Sequence, residues 1–194
     1  MNGDNLAYRE KIREELIGGE VVAMSPNQGF NHSRVAGRIY KLFDNYLEGH
    51  TCTAIPDGLD LYLSEKDRFI PDMMVVCDRN KIKSDGVHGA PDLVVEVFSP
   101  STAKQDRGVK LQTYQKHKVR EYWIVTPATR TIEQYLLEDG VLTLNKVYAI
   151  YPDYTLEQMT DEEKADALAP LKCSLYDDLE INLEYIFNGL LPTV

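Results

Sequence analysis

Two short runs constrain this chain more than anything else in it: Ile70-Pro71-Asp72-Met73-Met74-Val75-Val76 and Pro91-Asp92-Leu93-Val94-Val95-Glu96-Val97-Phe98. Each sets a carboxylate against a β-branched, apolar stretch that reads as a buried strand. An ionised group in that setting is costly unless a metal or a cation compensates it. A fold that tolerates two such acids needs a compensating charge nearby, and the chain after Glu96 offers one. Ser99-Pro100-Ser101-Thr102 leads into a helical stretch that carries Asp106 and Lys110 on one face.

Size and composition narrow the setting. With 194 residues, 43% of them hydrophobic, the chain is expected to form one α/β domain over residues 1–194. No apolar run approaches the roughly 20 residues that span a bilayer. The first residues, with Asp4, Arg9, Glu10 and Lys11, lack the apolar centre of a signal peptide. The expectation is a cytoplasmic protein with no membrane segment. Cys52, Cys77 and Cys173 are odd in number and widely spaced, which suits reduced core thiols better than a disulfide framework or a zinc site. A net charge of −10 and a pI near 4.9 argue against a broad, static nucleic-acid-binding face. Bound divalent metal would neutralise some of those acids, and a small surface can still be locally basic.

Along the chain, residues 4–17 read as an amphipathic helix ended by Gly18-Gly19, followed by a strand from Glu20 to Met24. Asn31 or Ser33 is placed to cap a second helix, in which Val35, Ile39, Leu42, Phe43, Tyr46 and Leu47 recur at helical spacing. Strands follow at Thr51 to Ile55, Leu59 to Leu63, Phe69 to Cys77 and Leu93 to Phe98, with Asp78 to Ala90 as a polar loop. A helix from Ala103 to Lys118 precedes a strand at Glu121 to Val125 and two strands around the Glu138-Asp139-Gly140 turn. Thr160 to Ala169 reads as a surface helix or an ordered loop, and the end of the chain as a strand leading into a short docking helix. The sum is a mixed central sheet flanked by helices.

Asp72, Glu96 and Lys110 are the candidate catalytic residues. Two acids and a lysine converging on one place are what metal-assisted phosphodiester hydrolysis requires. Taken singly, each acid is as readily a strand-end carboxylate paired with Arg or Lys, and Lys110 alone reads more simply as a solvated helix lysine. Hard carboxylate ligands without a matching His or Cys set favour Mg²⁺, with Mn²⁺ as an alternative. Glu20, His32, Asp106, Gln112 and Tyr114 are auxiliary candidates, each with a plainer reading. Glu20 fits a surface ion pair, His32 helix capping or packing, Asp106 an i, i+4 pair with Lys110, and Gln112 and Tyr114 simply flank the lysine. Ser99 and Ser101 lack the elbow and the histidine of a nucleophilic serine.

These residues resemble a known group. The Gly19-Glu20 strand, the His32 helix, Pro71-Asp72, Asp92 to Thr102, Asp106 to Lys110, Tyr114 and Val119 to Val125 are similar to the Uma-type restriction endonucleases, a bacterial branch of the PD-(D/E)XK nuclease superfamily. The resemblance implies a restriction-endonuclease-like αβββαβ core with extra C-terminal strands. It makes Asp72 the motif aspartate and Glu96 the second acid, with the Val97 backbone carbonyl completing the metal shell. The superfamily's usual lysine would stand two residues after Glu96, where this chain has Phe98. Lys110, on the following helix, is then the migrated replacement.

Two functions follow from different classes. One is an Mg²⁺-dependent endonuclease acting on nucleic acid, with DNA as the expected substrate and a homodimer a convenient way to cut both strands. The other is a catalytically silent nuclease-fold protein acting as a nucleic-acid-binding or regulatory partner, which the acidic pI and the displaced lysine favour. Base contacts are expected from Asp78 to Ala90 and from Tyr151 to Ala169.

Overall fold

Gly18 and Gly19, expected to end a helix, instead close a β-hairpin in the computed structural model of the protein, which describes residues 13–24, 29–98 and 106–192. Strand β1 (Glu14–Ile17) pairs antiparallel with β2 (Glu20–Ala23), with Ile17 opposite Glu20. Both glycines have positive φ, 61° and 91°, which a two-residue turn tolerates best without a Cβ. The Asp67 carboxylate accepts a hydrogen bond from the Gly18 amide, and the Lys66 carbonyl accepts one from Gly19. The helix expected over residues 4–17 is therefore corrected to a strand where it is described, and its residues 4–12 lie outside the described residues.

Helix α1 (Phe30–Leu47) buries Val35, Ala36, Ile39, Phe43 and Leu47, the stripe its spacing announces. It starts before Asn31 and Ser33, so neither caps it. Asn31 instead exchanges two hydrogen bonds with the backbone of Leu191 at the other end of the chain. Next come β3 (Thr53–Pro56), β4 (Leu61–Tyr62), β5 (Arg68–Phe69) and β6 (Met73–Val76). The expected polar loop after Cys77 contains a 3₁₀ turn (Arg79–Lys81) and two short strands, β7 (Ile82–Lys83) and β8 (Gly86–His88). Strand β9 (Leu93–Val97) is followed by a π-helical turn (Asp106–Lys110) that continues into α2 (Leu111–Lys116).

Strand β10 (Glu121–Thr126) then precedes the hairpin of β11 (Thr131–Glu138) and β12 (Val141–Ala149), whose turn residues Asp139 and Gly140 both have positive φ, as an Asp-Gly turn requires. The chain ends with α3 (Asp153–Glu157), α4 (Asp161–Ala167), β13 (Leu171–Lys172), β14 (Glu180–Ile181) and α5 (Leu183–Phe187). Thr160 and Glu163 form a reciprocal capping box on α4, which decides that segment in favour of a helix.

Six strands build the central sheet in the order β12-β11-β10-β9-β6-β3, with β9 and β10 parallel and the other pairs antiparallel. A second six-stranded sheet, β2-β1-β5-β4-β8-β7, contributes its apolar side chains to one face. Val94, Tyr122 and Ile124 pack there with Leu61, Phe69 and Tyr114. On the other face Val95, Val97, Trp123 and Val125 pack with Val35, Ile39 and Phe43 of α1 and with Ile186 and Phe187 of α5. The sequence α1-β3-β6-β9-α2-β10 is the αβββαβ core, extended by β11 and β12. No helix among the described residues is long and apolar enough to cross a membrane.

The cysteine reading is corrected in part. Cys52 and Cys77 form a disulfide, because the antiparallel β3–β6 register that sets Thr53 opposite Val76 carries the preceding and following residues opposite each other. Cys173 remains a buried thiol, its pKa pushed up by burial and by the charge of Glu121.

Among the described residues Glu121 is the most completely enclosed acid, and it is held by donors. Its Oε1 accepts from Trp123 Nε1 and Gln134 Nε2, both at 2.6 Å, and its Oε2 accepts from the Ser174 amide and hydroxyl at 2.8 and 2.6 Å. The group joins β10 and β11 to the segment after β13. Glu121→Gln keeps the shape but removes the charge that strengthens these bonds, and it places an amide donor where donors already converge. A loss of about 2 kcal/mol is expected in urea unfolding, with no change in any ligand binding.

Candidate active site

Strand register brings the two motif acids to the same place. β6 and β9 pair Met73 with Val95, so Asp72, one residue before β6, falls opposite Glu96. Pro71 keeps the chain extended on entry and so fixes where Asp72 emerges. The Asp72 carboxylate is buried, and its Oδ2 accepts a hydrogen bond from the Val97 amide at 2.6 Å. Nε2 of His32, from the first turn of α1, lies 3.2 Å from the same oxygen. Burial alone would lower the histidine pKa. The Asp72 carboxylate outweighs burial, with smaller help from Asp57 and the Val97 backbone, and the ring's pKa is raised. His32 is thus a charge partner of Asp72 rather than a helix cap.

The second group is centred on Lys110. Its Nζ lies 3.1 Å from Glu96 Oε1 and 2.9 Å from Glu15 Oε1, and it sits 5.7 Å from the centre of the Phe69 ring. Lys110 is 2% exposed, Glu15 2% and Glu96 4%, so all three charges are withdrawn from water. Glu96 Oε1 also accepts from Tyr114 Oη at 2.8 Å. Burial, followed by the charge of Glu96, holds the Tyr114 pKa well above its ordinary value, so the phenol remains a proton donor. One turn of helix separates Lys110 from Tyr114, which is why both reach the same carboxylate oxygen.

The remaining candidates separate cleanly. Glu20 is exposed in the hairpin and Gln112 is exposed on α2, and neither side chain bonds to this group. The Asp106 side chain, with Ser99 and Ser101, lies outside the described residues. Phe98, at the usual lysine position, is covered by the Arg107 guanidinium, 4.8 Å from the ring centre, and Arg107 in turn pairs with Glu133. Asp92, the other acid of its run, binds the Cys77 amide and faces Arg120, the ordinary strand-end arrangement. Glu15 was not anticipated. Its signal was present in the Gly-Gly pair: read as a two-residue hairpin turn, it makes residues 14–17 a strand whose alternation turns Glu15 and Ile17 inward.

Asp72, Glu96 and the Val97 carbonyl offer only hard oxygen donors. Among the described residues no group of three or more His, Cys, Asp or Glu side chains is arranged to hold a metal. Mg²⁺ suits such a sparse set, since it keeps several waters and commonly takes one or two carboxylates together with substrate phosphate.

The fold is shared with a solved protein: a crystal structure of a "putative nuclease belonging to DUF820" from Anabaena variabilis superposes with a TM-score of 0.68 at 19% identity, covering 92% of this chain and 91% of that one. An uncharacterized protein of Synechocystis sp., slr1290, is 32% identical over 133 residues, 68% of this chain and 70% of the relative. Residues 4–165 match the family described as "Uma2: Putative restriction endonuclease", and the chain belongs to that family.

Proposed function

We propose that the protein is an Mg²⁺-dependent endonuclease that hydrolyses phosphodiester bonds of DNA, with Mn²⁺ able to replace Mg²⁺. The observation that carries this reading is a buried carboxylate pair opposed across β6 and β9, with a buried ammonium at one member. Membership of a family described as "Putative restriction endonuclease", and a fold shared with a protein described as a "putative nuclease", support it.

Asp72 and Glu96 would hold the ion, with the Val97 carbonyl as a third oxygen. A bound Mg²⁺ supplies Lewis-acid polarisation of the phosphate and a water of lowered pKa. Lys110 places a positive charge beside Glu96, where it can stabilise negative charge developing on the phosphate oxygens or orient the attacking water. Tyr114 donates to the same Glu96 oxygen that Lys110 meets and keeps its proton while doing so. Enclosure of these groups strengthens each electrostatic interaction relative to water.

Supercoiled plasmid incubated with the purified protein tests the reading. Nicked product is expected with Mg²⁺ or Mn²⁺, none in EDTA, and recovery when Mg²⁺ is restored in excess. Cleavage that persists in EDTA would overturn the metal-dependent mechanism. Tight Mn²⁺ binding without cleavage would instead favour the silent nuclease-fold protein.

A further inference from the structure

We propose that Glu15 is a positioning residue for Lys110: it retains the ammonium at the centre when Glu96 turns to the metal. This assignment rests on the endonuclease reading and adds to it a residue of β1, outside the central sheet. The carboxylate is fixed from two directions, because its Oε1 accepts from the Ile70 amide at 3.2 Å and from Lys110 Nζ at 2.9 Å. Ile70 lies two residues before Asp72, so the same oxygen bridges the segment that delivers the first acid and the helix that delivers the lysine.

Charge explains why a second acid is useful there. One carboxylate is enough to neutralise one ammonium, and a further buried acid is costly by itself. Glu96 is a candidate metal ligand, and an ammonium that draws on Glu96 competes with the cation for that carboxylate. With Glu15 present, Lys110 has a second anion at nearly the same distance, 2.9 against 3.1 Å, and Glu96 can be given up to the ion without releasing the lysine. The location of the lysine gives such a holder a purpose. A lysine on β9 itself would be aimed by the strand, whereas Lys110 reaches in from a helical turn 14 residues after Glu96.

Mn²⁺ affinity, measured by electron paramagnetic resonance on the full chain, and plasmid nicking at saturating Mn²⁺ test this in wild type, Glu15→Gln, Lys110→Met and the double variant. Glu15→Gln is expected to weaken Mn²⁺ binding about tenfold and to lower kcat about tenfold or more, with KM for plasmid unchanged. Lys110→Met removes the competing cation, so in that background Glu15→Gln should change Mn²⁺ affinity less than about twofold, a non-additivity that marks coupling through the lysine. Equal weakening in both backgrounds would make Glu15 a metal ligand and overturn the assignment. A fall in melting temperature alone, with Mn²⁺ affinity and kcat intact, would also overturn it by making Glu15 merely structural. If Glu15→Gln does not fold, Glu15→Asp, which keeps the charge but withdraws it by one methylene, carries the same comparison with a smaller expected loss. A wild type that neither binds Mn²⁺ nor nicks DNA would remove the endonuclease reading and this assignment with it. A wild type that does both while Glu15→Gln matches it would remove this assignment only.

Discussion

In Asp72→Asn protein, plasmid nicking in Mg²⁺ falls on the order of a thousandfold or more, equivalent to about 4 kcal/mol of lost transition-state stabilisation. The substitution keeps the size of the side chain, and the asparagine oxygen can still accept from the Val97 amide, so the fold is expected to survive. What disappears is the anionic ligand. The same change has a readout that needs no metal. The Asp72 carboxylate raises the His32 pKa against the effect of burial, so the His32 titration followed by NMR should move down in the variant. The sign of the linkage follows. A folded-state pKa above the unfolded value gives stability that is fully present below the unfolded pKa and is lost as pH rises through the folded pKa. Wild type carries that contribution and Asp72→Asn does not. Wild-type cleavage rates in Asp72→Asn would remove Asp72 from the centre, whereas a fixed His32 titration would remove the pairing.

Lys110→Ala is expected to unfold more easily by about 3–5 kcal/mol at neutral pH, because it leaves Glu15 and Glu96 buried without their shared cation. For a chain of this size that is a fall in melting temperature on the order of 10 °C. Removing both anions as well, in Lys110→Met with Glu15→Gln and Glu96→Gln, should recover much of the loss while leaving the protein unable to cleave. Thermal melts of both variants measure this. A surface lysine would give less than about 1 kcal/mol, the result its composition alone suggests.

The contrast between Lys110 and Glu15 shows where sequence reasoning stopped. Lys110 was legible because the Glu96 strand runs directly into its helix, so chain proximity placed it near the carboxyl end of that strand. Glu15 lies more than 80 residues from Glu96 and belongs to a different sheet, and nothing local ties it to the site. Its own strand was misread because Gly-Gly serves a helix end and a hairpin turn equally well, and only the Asp67 and Lys66 contacts on the turn decide between them. The disulfide was missed for a related reason. Cys52 and Cys77 are 25 residues apart with no spacing signature, and only the β3–β6 register sets them face to face. His32 was visible as a histidine in the first turn of α1, but its role depends on how that helix packs over the sheet.

The sequence by itself determined the buried strands, the hairpin at Asp139-Gly140 and the two acids, because each is written in local periodicity, turn chemistry or the cost of a charge within an apolar run, whereas the αβββαβ order followed from the resemblance to the family. The tertiary structure alone decided that Asp72 stands opposite Glu96, that His32 closes on the first acid, and that one ammonium is shared between Glu96 and Glu15. Those facts depend on strand register and on packing between elements distant in the chain, where the free energy resides in long-range burial of charge rather than in any neighbouring residue.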